Sequence, residues 1–231
     1  LVNGTLKSEL TFKKNGYTIG SIPPSYTGRV DAYLAENIEI TNAWTPIGTS
    51  SNSFTSSFDG QGHSITINSC ADGEYAGVFG YVGNQSASTT SISNLVVKGQ
   101  DAGITTSAQY AGGIVAYSYG ATISNCVNKL KIDASASSTG YLGGIVGYTK
   151  KETIISSCAN FAELVSTSSI GGIVGFADVE NNYSPLAIDK CINIGSIKGS
   201  SNGNYVSGIL GRTATATTIS NCINFGERGC N

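Results

Sequence analysis

The chain is predicted to be all-β: a single-domain parallel β-helix, or β-solenoid, with about 31 residues per repeat and right-handed winding as the default. Three observations predict it. Two short motifs recur at nearly constant spacing, apolar runs of strand length alternate with Gly, Asn and Ser, and four cysteines fall at one place in successive repeats. The first motif reads AGVFGY from Ala76, GGIVAY from Gly112, GGIVGY from Gly143, GGIVGF from Gly171 and SGILGR from Ser207. The second reads ISNLVV, ISNCVN, ISSCAN, IDKCIN and ISNCIN from Ile92, Ile123, Ile155, Ile188 and Ile219, starts that lie 31, 32, 33 and 31 residues apart. The second residue of the first motif, at 77, 113, 144, 172 and 208, is spaced less evenly, by 36, 31, 28 and 36. Length changes therefore sit in the connections, and 83–90 and 178–185 read as surface loops.

Each repeat holds two or three runs of four to seven residues rich in Ile, Val and Leu, and no segment carries a 3.6-residue apolar stripe. Strands this short cannot bury an apolar face alone, whereas stacking repeat on repeat pairs like with like and closes a continuous core. At the ordinary inter-strand spacing, five to seven rungs would make a rod of roughly 25 to 35 Å. Residues 1–43 carry neither motif and read as an N-terminal cap or irregular first rung, with 44–231 as one continuous run of repeats. A chain that begins at Leu1 and stops soon after Phe225 reads as a mature or excised fragment.

The GGIVGY element followed by IS-N-C-x-N resembles the GLUG repeat of bacterial surface proteins, over roughly residues 75–226. Upstream, the FDGQGH turn within Trp44 to Ile67 is similar to the segment that often precedes such repeats. The resemblance implies the β-helical portion of an adhesin or of an immunoglobulin A protease-like protein, displayed outside the cell or on its surface. It transfers no ligand.

Cys126, Cys158, Cys191 and Cys222 must line up in any stacked arrangement, and Leu95 takes their place one rung earlier. Exchange of Cys with Leu favours an inward apolar ladder of thiols over disulfides between rungs, because directly stacked side chains seldom reach the disulfide dihedral. Cys70 and Cys230 stand outside the ladder as candidates for a cap bridge or an intermolecular bond. Two residues after each ladder cysteine come Asn128, Asn160, Asn193 and Asn224. They are expected where the rung turns, in left-handed backbone, with amide bonding to amide along the stack.

Tyr81, Tyr117, Tyr148 and Phe176 share one place in the first motif, and Tyr110, Tyr141 and Tyr205 come just before it. They should stack. Facing solvent, the stripe of Tyr81, Tyr117, Tyr148 and Phe176 would offer rigid rings to a glycan or a host or matrix protein; facing inward, it would be a packing ladder.

Thirteen Lys and Arg against fifteen Asp and Glu give a net charge of −2, so there is no basic field for nucleic acid or anionic lipid. No apolar run approaches the roughly 20 residues of a membrane span. His63 is the single histidine, HExxH and CxxC are missing, and no metal or other cofactor is expected. The carboxylates do not recur in register, which argues against the β-helical lyases and hydrolases. The chain reads instead as a non-catalytic binding or adhesion module, or as a structural rod whose copies assemble end to end. Sequons stand at Asn3, Asn84 and Asn182, all at places expected to be loops or terminus.

Overall fold

Every 31 to 33 residues the backbone returns to the same place, so that Ile92, Ile123, Ile155, Ile188 and Ile219 lie one above another as register partners in parallel strands. The computed structural model describes residues 31–85, 90–137, 140–178, 185–199 and 205–230, together with the strands Phe12–Lys14 and Tyr17–Ile19. One coil runs in order through Ser91–Ser93, Val96–Lys98, Ile104–Thr105, Tyr110–Gly112 and Val115–Tyr119, and Thr122–Ser124 opens the next. These five positions build five parallel sheets, numbered first to fifth in that order; the first two hold seven strands each and the other three hold five. Among the described residues every element is a strand.

Of the predicted loops, residues 86–89 and 179–184 lie outside the described residues. Val82 ends one strand and Ser91 starts the next, Ala177 ends another before Leu186, and the extra residues of both repeats lie between them. Residues 31–43 already take part in coiling, since Ala32–Tyr33 pairs in parallel with Ser57–Asp59 and Ile38–Ile40 with Ser64–Ile67. Phe12–Lys14 and Tyr17–Ile19 pair antiparallel, and the other residues of 1–30 lie outside the described residues. Trp44 is fully buried, and its indole nitrogen donates to the carbonyl of Val78 across 3.0 Å. The first coil is thus pinned to the second by packing and by a satisfied polar handle.

The core is a column of Ile, Val, Leu and Cys, one level per coil. At the corner between the first and second sheets one residue per coil adopts left-handed backbone: Gln61, Asn94, Asn125, Ser157, Lys190 and Asn221, with φ between 51° and 53°. This kink explains the inward pointing of both Ile123 and Cys126, three apart in sequence and both fully buried. The positive φ expected at Asn128, Asn160, Asn193 and Asn224 therefore occurs three residues earlier, where Asn recurs because its side chain tolerates that region. Lys190 adopts it at greater cost than Asn, and its contact with Asp189 at 3.6 Å is exposed and weak. Lys190→Asn is expected to raise stability by about 1 kcal/mol, read as a shifted urea midpoint at constant slope.

At the C-terminal end inward positions lose their cover. Ile188 is fully buried while its partner Ile219 is 47% exposed, and Ile209, Leu210 and Cys222 are half-buried where Ile173, Val174 and Cys191 are fully buried.

Candidate functional site

The outside of the solenoid carries an aromatic seam where the fourth and fifth sheets meet. Strands on the two sides of a convex corner send their outer side chains apart. Here Tyr110 of the fourth sheet and Tyr117 of the fifth meet at 5.0 Å between ring centres, so the corner is re-entrant and forms a groove along the rod. The fifth-sheet strands lack strict alternation: Val115 faces the core, and so do Val82 and Ala177, which share the level of Ser118 and Thr149. Tyr117, between those inward positions, is thrown outward.

Two columns of rings fill the groove. In the inner column Tyr81 stacks on Tyr117 at 4.5 Å and Tyr117 on Tyr148 at 4.7 Å, with planes 10° and 29° apart. These distances match the rung spacing, so the inner rings lie across the rod and cover each other's faces. Tyr75, Tyr110 and Tyr141 form the outer column, with centres 5.8 and 6.0 Å apart and planes about 20° apart. Tyr75 and Tyr110 stand nearly perpendicular to Tyr81 and Tyr117, at 83° and 84°. Because the inner faces are already covered, an inner edge must meet an outer face in these contacts. The outer rings are half-buried and keep part of their surface toward solvent.

Of the two placements open to the stripe, the burials fit the packing ladder: Tyr117, Tyr148 and Phe176 are only 8%, 6% and 6% exposed, and Tyr81 is half-buried. The half-buried outer tyrosines hold the accessible faces, and among them Tyr75 is a residue that the sequence reading does not single out. Its signal is there to be found, since Tyr75, Tyr110 and Tyr141 all stand immediately before the first motif. Ser169 takes the outer position one coil later, and Phe176 leans onto Tyr141, 5.0 Å away and 24° from parallel. Arg212, aligned with Phe176, places its guanidinium 5.0 Å from that ring and 4.9 Å from Tyr205. A cation held between two rings in this way closes the seam.

Two carboxylates border the tyrosines. Glu74 hydrogen-bonds Tyr75, and the Tyr148 hydroxyl donates to Asp178. Desolvation, reinforced by these negative neighbours, holds the hydroxyls of Tyr75, Tyr110, Tyr117 and Tyr148 above the ordinary tyrosine range. A group whose folded pKa is raised favours the folded state below its unfolded value and loses that contribution as pH rises past it. Stability should therefore fall above about pH 10, by up to about 1.4 kcal/mol per pH unit for each of these tyrosines that ionises only on unfolding. Phenolate absorbance recorded against alkaline pH should show these hydroxyls titrating together with loss of β-sheet signal.

The ladder cysteines are inert. Cys126, Cys158 and Cys191 are buried free thiols and Cys222 is a half-buried one, each donating to backbone carbonyls, as Cys126 does to Ser124 at 3.2 Å. Cys70 is also a free thiol, raised to about 11 chiefly by desolvation, and takes part in no cap bridge. The side chain of Cys230 lies outside the described residues.

Asn128, Asn160, Asn193 and Asn224 form a continuous amide ladder, each Nδ2 donating to the Oδ1 of the next at 2.9, 2.8 and 2.7 Å. The second glycine of the first motif faces it: a Cβ on Gly113 would fall 2.3 Å from the Asn128 Cγ, and one on Gly144 2.5 Å from that of Asn160. The two recurring motifs are thus halves of one packing unit. Asn84 is exposed beside a fifth-sheet strand end, while Asn3 and Asn182 lie outside the described residues. Among the described residues no three of His, Cys, Asp and Glu converge as metal ligands, and no helix is long and apolar enough to cross a membrane.

Comparison with known proteins accords with the fold. Residues 107–132, which span the outer tyrosine, the first motif and the second, match the family described as the GLUG motif. The fold is similar to the crystal structure of a candidate immunoglobulin A1 protease from Bacteroides ovatus, with a TM-score of 0.68 and 21% identity over 85% of this chain and 69% of that one. No curated protein matches the chain. At that identity the likeness is one of fold, and the chain is a parallel β-solenoid that carries the GLUG motif.

Proposed function

We propose that this solenoid is a non-catalytic binding module displayed outside the cell, and that its aromatic seam holds a glycan. The outward faces of Tyr75, Tyr110 and Tyr141 carry this reading: three rings tiled at about one per rung form a rigid apolar strip edged by carboxylates. Sugar rings present a flat C–H face and a rim of hydroxyls, which suits such a strip at small entropic cost. The GLUG match and the likeness to the Bacteroides ovatus protein support display at the surface or secretion.

Binding to a panel of immobilised host and plant polysaccharides tests it. A saturable interaction should weaken at least tenfold, about 1.4 kcal/mol, in Tyr110→Ala and in Tyr141→Ala, and remain intact in Phe161→Ala on the second sheet. Undiminished binding in both tyrosine variants would remove the strip from the mechanism.

A structural rod whose copies stack coil on coil is the second reading, supported by the in-register parallel pairing of like strands in all five coiled sheets. It expects filaments by electron microscopy at high concentration; a monodisperse monomer there counts against it.

A further inference from the structure

A notch lies at the corner between the fifth and first sheets, beside the seam. Four consecutive corners differ in length: Val82 to Ser91 and Ala177 to Leu186 each enclose eight residues, while Tyr119 to Thr122 encloses two and Lys151 to Thr153 one. The two short corners carry a depression of about 300 Å³, lined by Thr90, Ala121, Thr122, Lys151, Glu152 and Ile154. We propose that this notch is a second sugar subsite that takes one neutral hexopyranose unit of the glycan held on the strip, so the inference rests on the glycan reading above.

Its chemistry is mixed in the way a sugar requires. Ile154 is 42% exposed and sits beside buried Ala121, giving an apolar patch for the C–H face of a pyranose. Lys151 and Glu152 supply an ammonium and a carboxylate at the same level, a donor and an acceptor for vicinal hydroxyls. Their charges offset each other, and Glu152 would repel an acidic sugar, which selects the neutral class. Lys151 is held in place, donating to the Gln85 carbonyl at 2.8 Å and lying 6.0 Å over the ring of Tyr119. Thr90 closes one wall of the notch and is only 2% exposed, and its hydroxyl, sealed behind that wall, has no hydrogen-bond partner. Tyr119 links notch to seam, its ring nearly parallel to Tyr81 at 6.3 Å, so one branched or bent chain can occupy both.

Titrating methyl glycosides of glucose, galactose and mannose into methyl-labelled protein tests the notch by itself. At least one should shift the Ile154 methyl signal saturably in the millimolar range. Thr122→Trp, which fills the depression from an exposed position, and Glu152→Gln should each weaken that shift tenfold or more, while Phe161→Ala leaves it unchanged. If none of the three sugars moves Ile154 saturably, or if the shift survives both notch substitutions, the proposal is overturned. Failure of the strip reading shows separately, as polysaccharide binding indifferent to Tyr110→Ala.

Discussion

Asn160→Ala is expected to lower stability by about 4 kcal/mol, a loss at the top of the range for single substitutions. The Asn160 amide is completely buried and makes four hydrogen bonds: it accepts from Asn128 Nδ2 at 2.9 Å and from the Ala162 N–H at 3.3 Å, and donates to the Ala162 carbonyl at 3.1 Å and to Asn193 Oδ1 at 2.8 Å. Alanine removes these at once and leaves two donors and two acceptors in a dry interior. Each group stranded in that way costs about 1–3 kcal/mol, less whatever local relaxation or an entering water recovers. Asn160→Asp should be at least as damaging, because a carboxylate would face Asn193 Oδ1, an acceptor held toward it by its own bonds. Phe161→Ala, one residue on and 48% exposed, should cost under about 1 kcal/mol. Urea denaturation of the three variants separates these outcomes, and equal losses at positions 160 and 161 would show that the ladder is not structural.

Gly144→Ala should be as severe, for a steric rather than a polar reason. A Cβ there would lie 2.1 Å from the Gly172 carbonyl oxygen and 2.5 Å from the Asn160 Cγ. Neither can withdraw: Gly172 belongs to the next coil, where its own N–H bonds Ser207, and Asn160 is fixed by the ladder. Easing the clash would push neighbouring coils apart over several rungs. The expected cost is about 4 kcal/mol or more, read as loss of the cooperative thermal transition or its displacement by more than about 10 °C. Because Gly144 and Asn160 touch, their effects should not add, and a double variant that loses less than the sum of the single ones would report this shared contact.

Much of this architecture is legible in the sequence because stacking turns sequence period into spatial register. The spacing of the isoleucines from Ile92 to Ile219 equals the register of the first sheet, and the substitution of Leu95 for cysteine at the head of the thiol column announces an inward apolar position. The added length between Val82 and Ser91 and between Ala177 and Leu186 is legible for the same reason, as breaks in an otherwise even period. Expectation and structure diverge where local geometry departs from plain alternation. Asn suits both left-handed backbone and amide stacking, so the ladder asparagines look like the corner; Lys190 and Ser157 occupy the true corner and disguise it. The sequence leaves the stripe of Tyr117 and Tyr148 open to either solvent or packing, and a second column of rings packs against it. No period can report which of two outward columns lies over the other, since that depends on the corner being re-entrant, a property of two sheets together. The notch is equally hidden, because its lining comes from the corners of two successive coils, at Ala121 and Thr122 and at Lys151 to Ile154, which only the stacking brings together.

The in-register stack can be tested most directly by methyl–methyl nuclear Overhauser spectroscopy on protein labelled at isoleucine δ1. Cross-peaks should join Ile92 to Ile123, Ile123 to Ile155 and Ile155 to Ile188 as a chain of nearest neighbours, with none between Ile92 and Ile188. Strong contacts that skip a rung, or the absence of any contact between residues one repeat apart, would contradict the parallel solenoid and with it the groove, the strip and the notch.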